Sequence, residues 1–198
     1  MSIVHRILER PEVFDFSQKL NPMTVSLYRE LVTEYVRVPH GGRVLDIGCG
    51  VGAHRPLFSG VDYLGVDINP AYITEATRRF GTGFRVMDAG ALDCPDESYD
   101  AVFTVATCHH IDDATARSML REALRVLRPG RAMHVVEPVL PVSSRAVIKR
   151  AIFRADRGQY QRTLTELTSL LGGLNGRVTR VDLRAGMLHD VSYVRVER

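Results

Sequence analysis

The sequence has no long apolar run. No stretch approaches the roughly 20 apolar residues that span a bilayer, and the opening MSIVHRILERPEVFDF carries no apolar run long enough for a signal peptide. Cysteine is scarce. Cys49, Cys94 and Cys108 are odd in number, scattered and without CxxC spacing, which argues against a disulfide framework or a zinc site and points to reduced thiols. A cytoplasmic location and no metal are the expectations. Charge of one sign is also in short supply: the net charge is only +3, and no basic stripe interleaved with aromatics marks a nucleic-acid surface. Internal repeats and low-complexity segments are absent.

What is present suits one globular domain with at most a short appendage. Hydrophobic residues make up 45% of the 198 positions and charged residues 25%, enough apolar material for a core and far from a disordered composition. From about Arg43 the chain alternates strand-like runs with helical spacing. Val44–Ile47, Tyr63–Val66, Phe84–Met87, Tyr99–Val105 and Ala132–Val136 read as strands. Between them, Ala71, Ile73, Ala76 and Phe80 lie on one helical face, as do Met119, Leu120, Ala123, Leu124 and Leu127. Asp112 or Asp113 can cap the second of these helices, and Pro129-Gly130 is expected to stop it. Strands separated by helices imply a mostly parallel sheet.

After Leu140 the pattern changes. Helical spacing near Ser144–Phe153 and Thr163–Leu171 precedes two strand-like runs, Arg177–Leu183 and Leu188–Val196. The gap around Ala185-Gly186 is too short for a parallel crossover, so these two pair antiparallel. The first 42 residues stand outside the sheet. Val25, Tyr28, Leu31, Val32, Tyr35 and Val36 form one apolar helix face, joined to the first strand by Pro39-His40-Gly41-Gly42.

The chemistry is concentrated at strand ends. Val44-Leu45-Asp46-Ile47-Gly48-Cys49-Gly50-Val51-Gly52 is a buried strand entering a glycine-rich turn, with a helix expected next whose free N–H groups and partial positive charge would face a ligand. By itself this is ambiguous, because Gly48, Gly50 and Ala53 also fit the dinucleotide pattern GxGxxG/A. The second strand ends at Asp67, 21 positions after Asp46, and the third at Asp88, another 21 further on. An Asp at one strand end is often only a turn former or helix cap. Three on successive parallel strands put three carboxylates on the sheet edge where open α/β folds bind ligands, with Asp67 placed to accept two ribose hydroxyls. Asp46 beside a pyrophosphate would be unfavourable. A ligand with a cationic amino group and no phosphate fits better, which is S-adenosylmethionine.

Taken with LGVDIN, FRVMDAGAL, SYDAVFTVATCHHIDD and LREALRVLRPG, the stretch VLDIGCGVG resembles the class I S-adenosylmethionine-dependent methyltransferases, in particular the compact bacterial small-molecule type. The resemblance covers roughly Arg43 to Leu140. It implies an α/β, Rossmann-like doubly wound, mostly parallel seven-stranded sheet with one antiparallel strand in a C-terminal hairpin and helices on both faces. It also implies that Asp46 and the loop Gly48, Cys49, Gly50 and Gly52 hold the methionine part. Asp67 would bind the ribose, Ile68 pack on the adenine, and Asp88 with the Ala89 N–H read the adenine edge. Ala106, after the fourth strand, is a further expected contact. The family usually writes PGG where this chain has Pro129-Gly130-Arg131.

Catalytic residues are less distinct, because methyl transfer from a sulfonium needs orientation more than a general base. His110, His109 and Glu137 are the candidates, at the ends of the fourth and fifth strands. Strand alternation would let only one histidine of the pair face the site. The pair can equally shape the cofactor pocket, and Glu137 can be a solvated turn residue beside Pro138. A helical lid over 1–42 and a domain over 43–198 are expected, with the insert at about 141–173 shaping the substrate site. Gln18, Asn21 and Tyr28, beside Phe14 and Phe16, are candidate acceptor contacts, although Tyr28 also suits pinning its helix to the sheet. Arg145, Lys149, Arg150, Arg154, Arg157 and Arg162, opposed only by Asp156, would attract an anionic small molecule or a membrane surface, or simply form a solvated face. A non-catalytic cofactor-binding protein, a nucleic-acid methyltransferase and an NAD-dependent oxidoreductase remain as alternatives. The Thr107-Cys108-His109-His110 run, in place of an Asn/Asp-Pro-Pro-aromatic run, disfavours the second. Oligomeric state is not legible.

Overall fold

A computed structural model describes residues 22–141, 159–186 and 190–198. Helix α1 (Pro22–Tyr35) precedes β1 (Arg43–Ile47), β2 (Asp62–Asp67), α2 (Pro70–Phe80), β3 (Phe84–Val86) and β4 (Tyr99–Val105). Helix α3 (Asp113–Val126), β5 (Leu127–Val139), α4 (Leu164–Ser169), β6 (Arg177–Arg184) and β7 (Asp190–Glu197) follow. Seven strands form one sheet in the order β3-β2-β1-β4-β5-β7-β6. Strands β1 to β5 pair in parallel, and β7 runs antiparallel to both β5 and β6. The expected sheet with one reversed strand is what forms. Gln18, Asn21, Phe14, Phe16, the helix expected near 144–153 and its five flanking basic residues lie outside the described residues.

Apolar side chains on the two faces of the sheet sort into two cores. On one face, Met119, Leu120, Ala123 and Leu124 of α3 and Leu167 of α4 pack against Leu45, Ile47, Val102 and Val135. On the other, Leu31 and Val32 of α1 meet Val44, Phe58, Phe103 and Tyr193. A leucine as enclosed as Leu120 loses about 2–5 kcal/mol when cut to alanine. The helices start where their caps dictate. The Asn69 side chain accepts the Ala71 N–H ahead of Pro70, Asp112 accepts the Thr115 N–H, and Thr163 with Glu166 closes a capping box on α4.

Two expectations need correction. No α-helix follows the glycine loop: Arg55–Leu57 form a single 3-10 turn. Gly52 and Gly60 both hold a left-handed φ, 81 and 70, and the seven residues between them leave room only for a short turn. The anion-attracting helix end expected there is therefore absent. Pro129-Gly130 does not stop α3, which ends at Val126. Leu127 already pairs with Tyr99, the register shifts, and pairing resumes at Ala132 opposite Ala101. Proline and Gly130, at φ +73, thus form an irregularity inside a long β5.

Candidate active site

The loop after β1 is shaped by close approach. Gly48, Gly50 and Gly52 have φ of 72, 53 and 81, a region costly for other residues. A Cβ on Gly48 would lie 2.4 Å from Thr107 Oγ1, and one on Gly52 would lie 2.9 Å from the Phe84 ring. The Gly48 and Cys49 N–H groups donate to the Val66 carbonyl at 2.8 and 3.0 Å. The Gly50 N–H donates to Asp67 Oδ2 at 3.0 Å. The loop is thereby folded over the end of β2. Cys49 is buried, and burial pushes its thiol up, so it is an inert packing residue.

Asp46 lies beneath this loop rather than in front of it. It is 1% exposed, Tyr63 donates its hydroxyl to Asp46 Oδ2 at 2.6 Å, and His54 Nδ1 stands 3.9 Å away. Burial raises the carboxyl to about 7 against the Tyr63 hydrogen bond, and the nearby Asp67 charge adds to the rise. His54 is lowered to about 4 by burial and the Arg29 charge. Asp46 is thus held inside the protein by Tyr63 and His54.

Asp67 is half-buried at the end of β2. Its Oδ1 accepts the Asn69 N–H at 2.9 Å, and burial raises its carboxyl against this bond and that from Gly50. The adjacent Ile68 is 71% exposed, an apolar side chain beside a carboxylate at the mouth of the site. Asp88 is exposed, with Oδ1 accepting the Gly90 N–H at 2.8 Å, and Ala89 is half-buried beside it. Ala106 holds φ 52, a left-handed conformation rare outside glycine, at the end of β4 where its N–H reaches the Val136 carbonyl.

The histidine pair does not sit on a strand. Cys108–His110 form a 3-10 turn, so the alternation argument fails, yet the two residues still separate: His109 is 5% exposed and His110 is exposed. Their rings lie 4.0 Å apart. Glu137 is not a solvated turn residue. It is 2% exposed, its Oε1 accepts the Thr107 and Cys108 N–H groups at 2.6 Å each, and its Oε2 lies 3.0 Å from His109 Nδ1. Burial pushes its carboxyl up, but the His109 contact and the two N–H bonds outweigh this and hold it low. An ionised carboxylate only accepts, so His109 Nδ1 carries the proton. Glu137 thus orients a neighbour and offers no base to an acceptor molecule.

Arg162, the one described member of the basic run, does not lie on a solvated face. It is 7% exposed and wholly engaged: Nη1 donates to the Cys108 carbonyl at 2.5 Å, Nη2 to the Ile111 carbonyl at 2.9 Å, and Nε and Nη2 to Asp113 Oδ1 at 2.9 and 2.7 Å. A small crevice here is lined by His109, Glu137, Pro138, Val139, Tyr160 and Leu167. Tyr28 packs on the α1-side core, in keeping with a pinning role. Tyr63, His54 and Thr107 escaped the sequence reading. Only their approach in space reveals them.

Comparison with known proteins follows the same lines. Residues 44–130 match the methyltransferase domain family. The chain is 34% identical over 107 residues to the 2-methyl-6-phytyl-1,4-hydroquinone methyltransferase of a Synechocystis species, covering 50% of this chain and 33% of that one. It is 34% identical over 121 residues to the fatty-acid O-methyltransferase of Mycolicibacterium smegmatis, covering 58% and 43% respectively. It therefore spans less than half the length of these curated relatives. Among solved structures, the geranyl diphosphate C-methyltransferase of Streptomyces coelicolor, in complex with Mg2+, geranyl diphosphate and S-adenosyl-L-homocysteine, superimposes with a TM-score of 0.71. That match has 12% identity and covers 87% of this chain and 79% of that one.

Proposed function

We propose that this chain, which carries a methyltransferase domain of the class I fold, binds S-adenosylmethionine at the carboxyl edge of its sheet and directs methyl transfer to an O, N or C nucleophile of a small molecule. The observation that carries the reading is Asp67 closing on the glycine loop through the Gly50 N–H, beside an Ile68 that is 71% exposed. An ionised carboxylate offers about four lone-pair sites. The Gly50 and Asn69 bonds leave capacity for two ribose hydroxyls, so the residues present fit the ligand. The ligand supplies an electrophilic methyl on a sulfonium. Gly48, Cys49, Gly50 and Gly52 frame its methionine part, with the Asp46 carboxyl beneath them. Ile68 covers one adenine face, Asp88 and the Ala89 N–H read its edge, and Ala106 closes the floor.

The acceptor enters from the side of the Cys108–His110 turn. Exposed His110 meets it first, with His109 behind, oriented by Glu137. The N-terminal segment 1–42 serves as lid, 43–198 as the methyltransferase domain, and the insert at about 141–173, with Gln18, Asn21 and Tyr28, as the acceptor wall. The acceptor is a lipophilic small molecule. Support comes from relatives named for a phytyl hydroquinone and a fatty acid. An anionic head on it would suit the insert's arginines. The protein works in the cytoplasm. Among the described residues no helix is long and apolar enough to cross a membrane.

Isothermal titration with S-adenosylmethionine tests the reading, with Asp67→Ala as control. Micromolar binding lost in the variant is expected, followed by methyl transfer to a lipophilic phenol or fatty acid. A folded protein that yields neither heat nor thermal shift overturns it. Titration with NAD then becomes the next experiment.

A further inference from the structure

The turn that carries both histidines is held between two buried charges of opposite sign. On one side, the Glu137 carboxylate takes the Thr107 and Cys108 N–H groups, each at 2.6 Å. On the other, the Arg162 guanidinium donates to the Cys108 and Ile111 carbonyls. The Tyr160 N–H, two residues before Arg162, donates to the His109 carbonyl at 3.0 Å. Within residues 107–111, the first two N–H groups therefore meet an anion, and the Cys108 and Ile111 carbonyls meet a cation. Neither charge has an adequate partner without the turn. A buried guanidinium or carboxylate costs several kcal/mol unless it is paired and hydrogen-bonded. Among the described residues Arg162 reaches only one carboxylate directly, Asp113 Oδ1 at 2.7 Å, and that residue's side chain is 74% exposed. Glu137 reaches no arginine or lysine in any ion pair among the described residues and has only His109.

We infer that Arg162 is a positioning residue for this site, and that it works with Glu137 as a charge pair acting through the backbone of the Thr107–Ile111 turn. Each charge is stabilised by hydrogen bonds to a turn whose shape the other also holds. The consequence is a fixed His109. Glu137 dictates the Nδ1–H tautomer and Arg162 keeps the carbonyls on either side of the pair from rotating. His110 and the loop contact at Thr107 Oγ1, which Gly48 approaches, are set by the same clamp. Because Leu140 N–H also donates to the Arg162 carbonyl at 2.8 Å, the end of β5 is registered against the turn as well. The clamp stands on geometry alone. Its role in presenting imidazole to an acceptor rests on the methyl-transfer reading.

A double-mutant cycle on Glu137→Gln and Arg162→Met tests it in the cofactor-free full chain, so that failure here and failure of cofactor binding are told apart. The readouts are amide exchange at Thr107 and Cys108 and the imidazole 15N resonances of His109. Each single variant should speed those two amides by about tenfold or more, and the second substitution should then add less than about threefold. His109 should change from one Nδ1-protonated tautomer to a mixture in both variants, a signature that loss of packing alone does not produce. Exchange rates that rise by the full product of the single effects, or an unchanged tautomer in Arg162→Met, overturn the inference. Should Arg162→Met not fold, Arg162→Lys takes its place. It keeps the cation but cannot bridge both carbonyls and Asp113 at once. Partial loss is expected, and wild-type exchange with a wild-type tautomer overturns the inference.

Discussion

Asp100 and Asp46 are both buried aspartates in the central strands, yet they stand at opposite edges of the sheet in opposite company. At the amino edge, Asp100 accepts the Arg43 N–H at 2.9 Å and Arg128 Nη1 at 2.6 Å, with Arg131 at 3.4 Å. Burial pushes its carboxyl up, but those partners outweigh it and hold it below the usual range. Nearby, Arg125 ties Asp96, Glu122 and the Leu92 and Cys94 carbonyls together, and Arg198 pairs with Glu97. At the carboxyl edge, Asp46 has a tyrosine hydroxyl and a histidine that burial keeps neutral. One edge spends its charges on itself. Among the described residues the other edge pairs neither Asp46 nor Asp67 with a lysine or arginine, beside a loop of left-handed glycines, as the proposed site for a cationic ligand requires.

Substitution of Asp67 should break that contrast most severely. On the proposed reading Asp67→Ala removes two charge-assisted bonds to ribose hydroxyls and should weaken S-adenosylmethionine about 100-fold or more, at roughly 1.5–3 kcal/mol for each bond to a charged group. Asp100→Ala, at the other edge, should leave affinity within about twofold and lower the melting temperature instead, since it strands the Arg43 N–H and two guanidinium groups. Titration calorimetry and thermal melts on both variants decide it. A large affinity loss in Asp100→Ala would mean the two edges are not functionally separate.

The glycines give a second, smaller test. Gly48 and Gly130 have nearly the same φ, +72 and +73, but a Cβ at Gly48 would collide with Thr107, whereas at Gly130 it would meet nothing within 4 Å. Gly130→Ala should cost about 1 kcal/mol, the backbone strain alone. Gly48→Ala adds the clash and should cost about 2–4 kcal/mol together with cofactor affinity. Urea melts of the two variants check the ordering. Equal costs would mean that the loop relaxes freely away from the turn.

Much of this was legible beforehand because it depends on local pattern. The strand runs, the three aspartates at strand ends, the Asp112 cap and the reversed last strand all follow from period, spacing and turn length. What escaped depends on where distant segments meet. Glu137 looked like a turn residue because Pro138 follows it, and only the approach of the Thr107–His109 turn turns it into a buried acceptor. Arg162 belonged to a basic run by sequence, and its burial comes from Asp113 and two carbonyls nearly fifty residues earlier in the chain. The missing helix after Gly52 was a question of interruption: the pattern admitted one, but left-handed Gly60 closes the stretch after seven residues.

The pH effect is the one whose sign separates the two edges. Asp46 has an ordinary value of 3.8 and stands at about 7 in the fold, so the folded protein prefers it protonated. That preference contributes stability in full below pH about 4, and it is lost progressively as pH rises toward 7. Asp100 is shifted the other way. Its contribution is present above the unfolded value and disappears only as pH falls through the depressed one. Comparing wild type with Asp46→Asn by urea denaturation at pH 5 and pH 8 should show wild type losing on the order of 2–3 kcal/mol relative to the variant at the higher pH. Asp100→Asn should show no such change over that window and should narrow its gap to wild type only below pH 4. The Tyr63 hydroxyl and His54 do not reverse the Asp46 result, since burial keeps the tyrosine protonated and the histidine neutral across the window. A gap between wild type and Asp46→Asn that ignores pH would mean that Asp46 is already ionised beneath the loop. Its charge would then be fully matched inside the protein, with nothing left to draw a cationic ligand.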